Sequence, residues 1–421
     1  MRRIGPKGVL LLASPPEYLR NGDATFKFRQ DSDILYLTGF AEPGTVVLLA
    51  PGHQATPFVL FVRPRDPAQE TWTGRRAGTE GAMRDFGADV AFPRGEVDDK
   101  LVDLVMGAEE IHYPFGHEPE LDAIVTRLLG RLRAAERRGR RAPTRLCDAR
   151  TTLHEMRLIK TPDEIAILRR AAAITGEAHT AAIRAARTGI GEHEIEALID
   201  YTFRRRGATG PGYSTIVGGG VNATILHYVE NSAPLARGQL LLIDAGCEVD
   251  GYTADVTRTS PIDAPFSPAQ RRLYEAVLDT QLAAIDAVKP GATIDAIHQQ
   301  VVERLTGHMV ALGLLAGEVP ALIEAGAHRA FYMHRTSHWL GMDVHDVGFY
   351  SEDGAARPLA PGMVLTIEPG LYIAEDAPVP PEFRGLGVRI EDDILVTESG
   401  HDNLTASIPK SVGEVEALAT S

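Results

Sequence analysis

The stretch "LLLIDAGCEVDGYTADV", residues 240–256, decides how the second half of this 421-residue chain is read. Four apolar residues end on Asp244, the pattern of a buried strand with an acid at its tip. Asp250-Gly251 is a two-residue hairpin signal. Folding the chain about that turn sets Val249 opposite Tyr252 and Asp244 opposite Thr257. Asp255, two residues before Thr257 on the same strand, then shares a face with Asp244, the two Cα atoms about 7–8 Å apart. Like charges that close are destabilising unless a positive charge stands between them. One such acid would be an ordinary loop or surface residue; two ask for a partner.

Candidate partners lie downstream. Glu368 ends the apolar run "MVLTIE" (363–368), with Pro369-Gly370 turning the chain behind it, and Glu391 sits in "GVRIEDDILV" (387–396), which reads as one strand. The segment "MHRTSHWLGMDVHD" (333–346) holds His334, His338 and His345, three of the 14 histidines. Taken singly, each would more often be a satisfied structural histidine. Four acids in strand contexts beside a dense histidine segment are better explained by a shared cation. Four carboxylates and one imidazole suit Mn²⁺, Mg²⁺ or Fe²⁺, with Zn²⁺ or Co²⁺ admissible. Their charge matches two divalent ions better than one, and two metals about 3.5–4 Å apart activate a water and polarise a carbonyl together. His334 and His338 have the spacing of H-E-x-x-H, but Arg335-Thr336-Ser337 stand between them and the required Glu is absent, which excludes a zincin. "VGGGV" (217–221) lacks the Lys-Ser/Thr of a phosphate loop and reads as a tight turn.

The length favours two domains. With 44% hydrophobic and 24% charged residues, the composition is that of a globular protein. No apolar run reaches the ~18 residues of a membrane span. "VLLLA" (9–13) is shorter than the roughly 7–15 residues of a signal core and reads as a buried strand, so a cytoplasmic location is expected. The net charge of −14 argues against a nucleic-acid partner; the basic run 127–145 reads as a solvated helix end. The two cysteines, Cys147 and Cys247, are too few for a disulfide framework or a thiolate metal site, so any metal is expected on His, Asp and Glu.

Residues 1–155 read as an α/β domain, with strands in "TVVLLAP" (45–51), "PFVLFVRP" (57–64) and "IHYPFG" (111–116) and a helix in "EPELDAIVTRLLGRLRAAERR" (118–138); no nucleotide-binding signature is present. A second domain, 160–421, opens on a helix with Thr161 as N-cap, Pro162 at its first position, Glu164 closing a capping box and Gly189 ending it. Ser267, Pro268 and Gln270 repeat the arrangement, Pro290-Gly291 stops that helix, and another follows Thr293. Two strand-rich regions bracket these helices. Each begins with an apolar strand ending on an acid and supplies a second acid later, which points to a duplicated half-domain. Order is expected to fade after "LTASIPK" (404–410).

"ILHYVEN" (225–231), "LLIDAGCEVDGYTADVTRT" (241–259), "FYMHRTSHWLGMDVHDVG" (331–348), "LTIEPGLYI" (365–373) and "GVRIEDDILVT" (387–397) resemble, in order and spacing, the proline-specific pita-bread metallopeptidases of the Xaa-Pro aminopeptidase (aminopeptidase P) type. "FRQDSDILYLTGFAEPGTVVLL" (28–49) and "ETWTGRRAG" (70–78) resemble the creatinase-like N-terminal α/β domain of those enzymes. The resemblance implies an α+β pita-bread catalytic domain with a pseudo-twofold internal duplication. The activity it implies is release of an N-terminal residue that precedes proline. It also implies a dinuclear centre, manganese most often, with zinc, cobalt or iron(II) as alternatives. Asp244 would chelate one metal, Asp255 and Glu391 would bridge both, and His338 and Glu368 would bind the second. Glu368 would also carry a proton to the leaving proline nitrogen. His227 and His345 would stabilise the oxyanion or orient substrate, His334 would lie near the proline side, Arg389 would tune Glu391, and Tyr372 would add a hydrogen bond. Asp33, supported by Arg29, would meet the free amino group, and Trp72 would cover a neighbouring subunit's active site, which implies a homo-oligomer, dimer or tetramer. Arg335-Thr336 depart from the small residues frequent in relatives. The alternatives are a dipeptide-only prolidase, and a metal-free creatinase-type or binding protein, which would lose several ligands that this chain retains.

Overall fold

The computed structural model describes residues 1–136 and 141–421 and divides into two compact units, Met1–Glu155 and Met156–Ser421. The N-terminal unit is built on a mixed sheet of β1 (Gly8–Ala13), β2 (Val46–Leu49), β3 (Phe58–Val62), β4 (Val90–Pro93), β5 (Glu110–Tyr113) and β6 (Arg145–Asp148), in the order β4-β3-β2-β1-β5-β6. β2 runs antiparallel to β1 and β3, and the other neighbours are parallel. The apolar runs explain this. A strand buried on both faces needs no alternation, and β1 sends Val9 and Leu11 to one core and Leu10 and Leu12 to the other. Helix α1 (Ser32–Thr38) is capped by Asp31, α2 (Pro67–Thr73) by Asp66, and α3 (Gly78–Phe86), α4 (Val97–Val105) and α5 (Pro119–Ala135) follow along the chain. The basic run 127–145 begins on α5, where Arg127 and Arg131 pair with Asp98 and Asp99 of α4 at 3.2 and 2.9 Å. Residues 137–140 of that run lie outside the described residues.

The second unit has two halves. In the first, α6 (Pro162–Ala185) and α7 (Glu192–Arg205) pack through Ile174, Ile195, Ile199 and Phe203 against Val217, Leu241 and Ile243. These last come from the sheet of β7 (Ile216–Gly219), β8 (Leu240–Asp244) and β11 (Thr257–Pro261), between which run the short strands β9 (Cys247–Val249) and β10 (Tyr252–Thr253). In the second half, α8 (Pro268–Asp286) and α9 (Ile294–Ala311) pack through Leu273, Val277, Val301 and Leu305 against Leu365, Ile367 and Ile394. Their sheet is β12 (Val364–Ile367), β15 (Asp392–Val396) and β16 (His401–Asn403), joined by the ribbon β13 (Gly370–Tyr372) and β14 (Gly387–Arg389). Both expected capping boxes, Thr161/Glu164 and Ser267/Gln270, are present.

Local departures have physical causes. α6 ends at Ala185, not at Gly189, because Ala186 is already extended and the Thr188 N–H turns to Asp263 at 2.6 Å. Residues 387–396 form two strands, so Glu391 sits in a break and not mid-strand. The chain end holds a helix, α10 (Val412–Ala419), capped by Ser411 and Glu414 and burying Val412, Val415 and Leu418; these residues, spaced three apart, form one apolar face that needs covering.

The halves meet at a buried guanidinium. Arg258 of β11, 1% exposed, donates to Asp392 Oδ1 at 2.7 Å and to the carbonyls of Glu391, Ile408 and Pro409 at 2.6–3.1 Å. Lys410 and Gln281 hold the other carboxylate oxygen. Against the effect of burial, Arg258 and Lys410 keep Asp392 well below the usual carboxylate range. A depressed carboxylate contributes stability above its unfolded pKa of about 3.9 and loses it as pH falls. Arg258→Met should therefore cost about 3–5 kcal/mol, because Asp392 loses its principal partner. Thermal melts of parent and variant should converge on acidification below the unfolded carboxylate pKa; a constant gap would count against the pair.

Candidate active site

A cleft of about 930 Å³ opens in the second unit, and its lining includes Tyr213, His227, Asp244, Asp255, His334, His338, His345, Glu368, Arg389 and Glu391. Asp244 arrives as the last residue of β8, opposite Thr257 of β11. Asp250 and Gly251 both take positive φ, 49° and 84°, which is a type I′ turn, and Val249 faces Tyr252. The long hairpin is broken midway, however, and Asp255 lies in the break between β10 and β11 rather than on a strand. Gly246 permits the break: a Cβ there would stand 1.7 Å from the Ala254 carbonyl oxygen. The acids still converge, because the Tyr213 hydroxyl lies 2.7 Å from Asp244 Oδ1 and 2.5 Å from Asp255 Oδ1.

The histidine segment runs antiparallel to β12. Thr366 N–H donates to the His338 carbonyl at 3.0 Å and Glu368 N–H to that of Thr336 at 2.9 Å. His338 Nε2 thereby reaches within 3.3 Å of Asp255 Oδ2 and 3.6 Å of Glu368 Oε1. Its Nδ1 lies 3.0 Å from the Trp339 carbonyl. That contact puts a hydrogen on Nδ1 and aims Nε2 at the carboxylates. Glu391 accepts from Thr257 Oγ1 at 2.7 Å. One oxygen or nitrogen from each of Asp255, His338 and Glu391 lies within 4.8 Å of the others.

Arg389 supports this group. It donates to Asp244 Oδ2 at 2.6 Å, Thr257 Oγ1 at 3.0 Å and the Tyr372 hydroxyl at 3.0 Å. The Tyr372 hydroxyl in turn meets His334 Nε2 at 2.9 Å. His345 packs edge-on against His338, ring centroids 4.4 Å apart. The charges strain against one another. Burial, reinforced by Asp255 and Asp244 and opposed by His338 and Arg389, pushes Glu368 up to about 7. Burial and Asp244 raise Asp255, and burial with Asp255 and Glu368 raises Glu391 far more. His338, though burial opposes its charge, is raised to about 9 by Asp255 and Glu368. Burial and Arg389 lower His334 to about 4, and burial and His338 lower His345.

Of the residues expected at the site, Asp33, Arg29 and Trp72 belong to the N-terminal unit. Asp33 is buried in the first turn of α1, 3.7 Å from His154 Nε2. Arg29 donates to Ser32 Oγ at 2.9 Å. Trp72 is 85% exposed on α2. Arg335 pairs with Asp295 at the cleft, and Thr336 is buried against Tyr332 and His298. Tyr213, Thr257 and Ser337 escaped sequence reasoning as site residues. Thr257 carried a signal, its register opposite Asp244. Tyr213 carried none, since "GPGYST" has no period. Ser337 Oγ is buried in the cleft lining with no hydrogen-bond partner among the described residues.

The family model for metallopeptidase family M24 matches residues 166–398, and that for the aminopeptidase P N-terminal domain matches residues 1–112. The chain belongs to metallopeptidase family M24. A relative named Xaa-Pro aminopeptidase, from Escherichia coli strain K12, is 45% identical over 419 residues, 99% of this chain and 95% of that one. The solved structure of Pseudomonas aeruginosa aminopeptidase PepP superposes with a TM-score of 0.97 at 45% identity, covering 99% of this chain and 95% of that one. Zinc-substituted E. coli aminopeptidase P in complex with product does so at 0.95 and 45%, covering 98% and 94%.

The donor set fits the metal that M24 membership implies. Four carboxylates and one imidazole are a hard, oxygen-rich set. Their mutual repulsion is what a bound cation would relieve. A carboxyl whose pKa rises on folding carries its charge at neutral pH at a cost, so Asp255→Asn should raise the thermal midpoint of chelator-treated protein at pH 7. Added manganese should then stabilise the parent more than the variant. A midpoint lowered in chelator would argue against the crowding.

Proposed function

We infer that this chain is a metal-dependent Xaa-Pro aminopeptidase, releasing an N-terminal residue ahead of proline from peptides. The observation that carries the inference is the meeting of Asp244, Asp255, His338, Glu368 and Glu391 in one cleft of a chain that is 45% identical to E. coli Xaa-Pro aminopeptidase over 99% of its length. Retention of all five donors speaks against a metal-free or purely binding protein of this fold.

We assign two divalent ions to these residues, manganese first, with zinc, cobalt or iron(II) as alternatives. Asp244 would hold one, His338 and Glu368 the other, and Asp255 and Glu391 both. Bound there, the ions would supply Lewis acidity toward the scissile carbonyl and acidify the attacking water. The remaining tasks fall to the chain. The bond before proline is a tertiary amide whose nitrogen must be protonated to leave. Glu368, whose Oε1 lies 3.6 Å from His338 Nε2 in the cleft, would take a proton from the water and return it to that nitrogen. His345, lowered by burial, and His227 line the cleft as hydrogen-bond donors for the developing oxyanion. His334, held by a hydrogen bond with the Tyr372 hydroxyl, is assigned to the proline side of the cleft, and Arg389 fixes Asp244 directly and Glu391 through Thr257. The N-terminal contributions belong to the same proposal: Asp33 and Arg29 for the substrate's amino group, and Trp72 for a neighbouring subunit in a homo-oligomer. No described helix is long and apolar enough to cross a membrane, and a cytoplasmic setting accords with two unpaired cysteines.

Metal-reconstituted protein should cleave Xaa-Pro-Yaa and longer proline peptides. Cleavage confined to Xaa-Pro dipeptides would make it a prolidase, and no cleavage with any divalent metal would reject the assignment. Glu368→Gln should lower kcat by about 10²–10⁴-fold, the usual size of a general acid–base contribution. Asp255→Ala should abolish turnover while circular dichroism stays that of the parent; near-normal turnover in either variant would remove that residue from the mechanism.

A further inference from the structure

The N-terminal sheet brings together three side chains that sequence spacing kept apart. β5 alternates: Ile111 and Tyr113 enter the core, and Glu110 and His112 point to the other face, where β1 and β2 carry Leu10, Leu12 and Val47. β6, the edge strand, pairs in parallel so that Arg145 stands beside Glu110 and Cys147 beside His112. His112 Nε2 lies 3.1 Å from Glu110 Oε2, Cys147 Sγ lies 3.9 Å from the same oxygen, and the three donor atoms all fall within 4.8 Å of one another. The other oxygen, Oε1, is taken by Arg145. Gly8 of β1 lies beside the ring, where a Cβ would stand 3.2 Å from Nε2.

We propose that Glu110, His112 and Cys147 form a second metal site, specific for a borderline-soft divalent ion such as zinc or cobalt. Tetrahedral zinc with bonds of about 2.0–2.3 Å separates an oxygen, a nitrogen and a sulfur ligand by roughly 3.3–3.6 Å, and the observed spacings straddle that range. One carboxylate and one thiolate neutralise a divalent charge. Arg145 holds Glu110 by the oxygen that does not bind, which orients the one that does. Binding releases the Cys147 proton to solvent, uses the His112 tautomer with hydrogen on Nδ1, and leaves a fourth position to solvent, since all three residues are only half buried. The donor chemistry separates this site from the catalytic cleft, which offers oxygen and imidazole but no sulfur. Counting cysteines excluded a thiolate site; parallel register supplies the two ligands that the count left out.

That difference gives a spectroscopic test independent of peptidase activity. Cobalt added to the full-length protein should produce a near-ultraviolet thiolate-to-cobalt charge-transfer band. Cys147→Ser should abolish the band while manganese-supported peptide cleavage and the thermal midpoint without added metal stay at parent values. Cys247→Ala should leave it intact, because Cys247 is fully buried with its thiol on the Ala171 carbonyl. Glu110→Gln should weaken cobalt binding at the band by about tenfold or more. Absence of the band in the parent, its survival in Cys147→Ser, or unchanged affinity in Glu110→Gln would overturn the proposal.

Discussion

The second unit depends on the Arg258–Asp392 pair. A guanidinium with no solvent must satisfy five N–H donors, and Arg258 does so by reaching from β11 to a carboxylate on β15 and to carbonyls on both sides of the joint. The same contact takes the Glu391 carbonyl, and the Glu391 N–H donates to Thr257 O at 3.1 Å. The residue that delivers a carboxylate to the cleft is thus pinned through its own backbone to the strand that follows Asp255. An ion pair buried in this way costs desolvation energy, so its contribution is geometric before it is energetic.

That geometry is what makes the acid cluster tolerable. Asp244, Asp255, Glu368 and Glu391 come from four segments and would separate if the halves could slide. Arg389, Tyr213 and Thr257 cross-brace them with hydrogen bonds, and His338 offers a counter-charge whose orientation is set by the Trp339 carbonyl. Rigid elements hold groups that repel one another, and burial together with that repulsion raises Asp255, Glu368 and Glu391.

The two metal-fitting clusters rest on opposite design rules. The catalytic group collects hard donors at strand ends from both halves. The Glu110–His112–Cys147 group lies on one face of one sheet edge, where alternate residues of a strand and one neighbour suffice. Softer donors at a half-buried edge and hard donors in a deep cleft would sort different ions by ligand chemistry alone.

Much was legible in the amino-acid order because it is written in local physics. Capping boxes named the starts of α6 and α8, the Asp-Gly turn set the register of Asp244 against Thr257, and apolar runs closed by acids or proline marked β2, β3, β8 and β12. The sequence by itself named the candidates that the cleft brings together: four acids and one histidine, each in a recognisable strand or loop context. Tertiary structure alone decided how they meet. The break at Gly246 and Asp255, the placement of Tyr213 between two carboxylates, and the parallel neighbour that sets Cys147 beside His112 arise from contacts between segments distant in the chain. Periodicity reports the face of one element; it carries no information about which other element will cover that face.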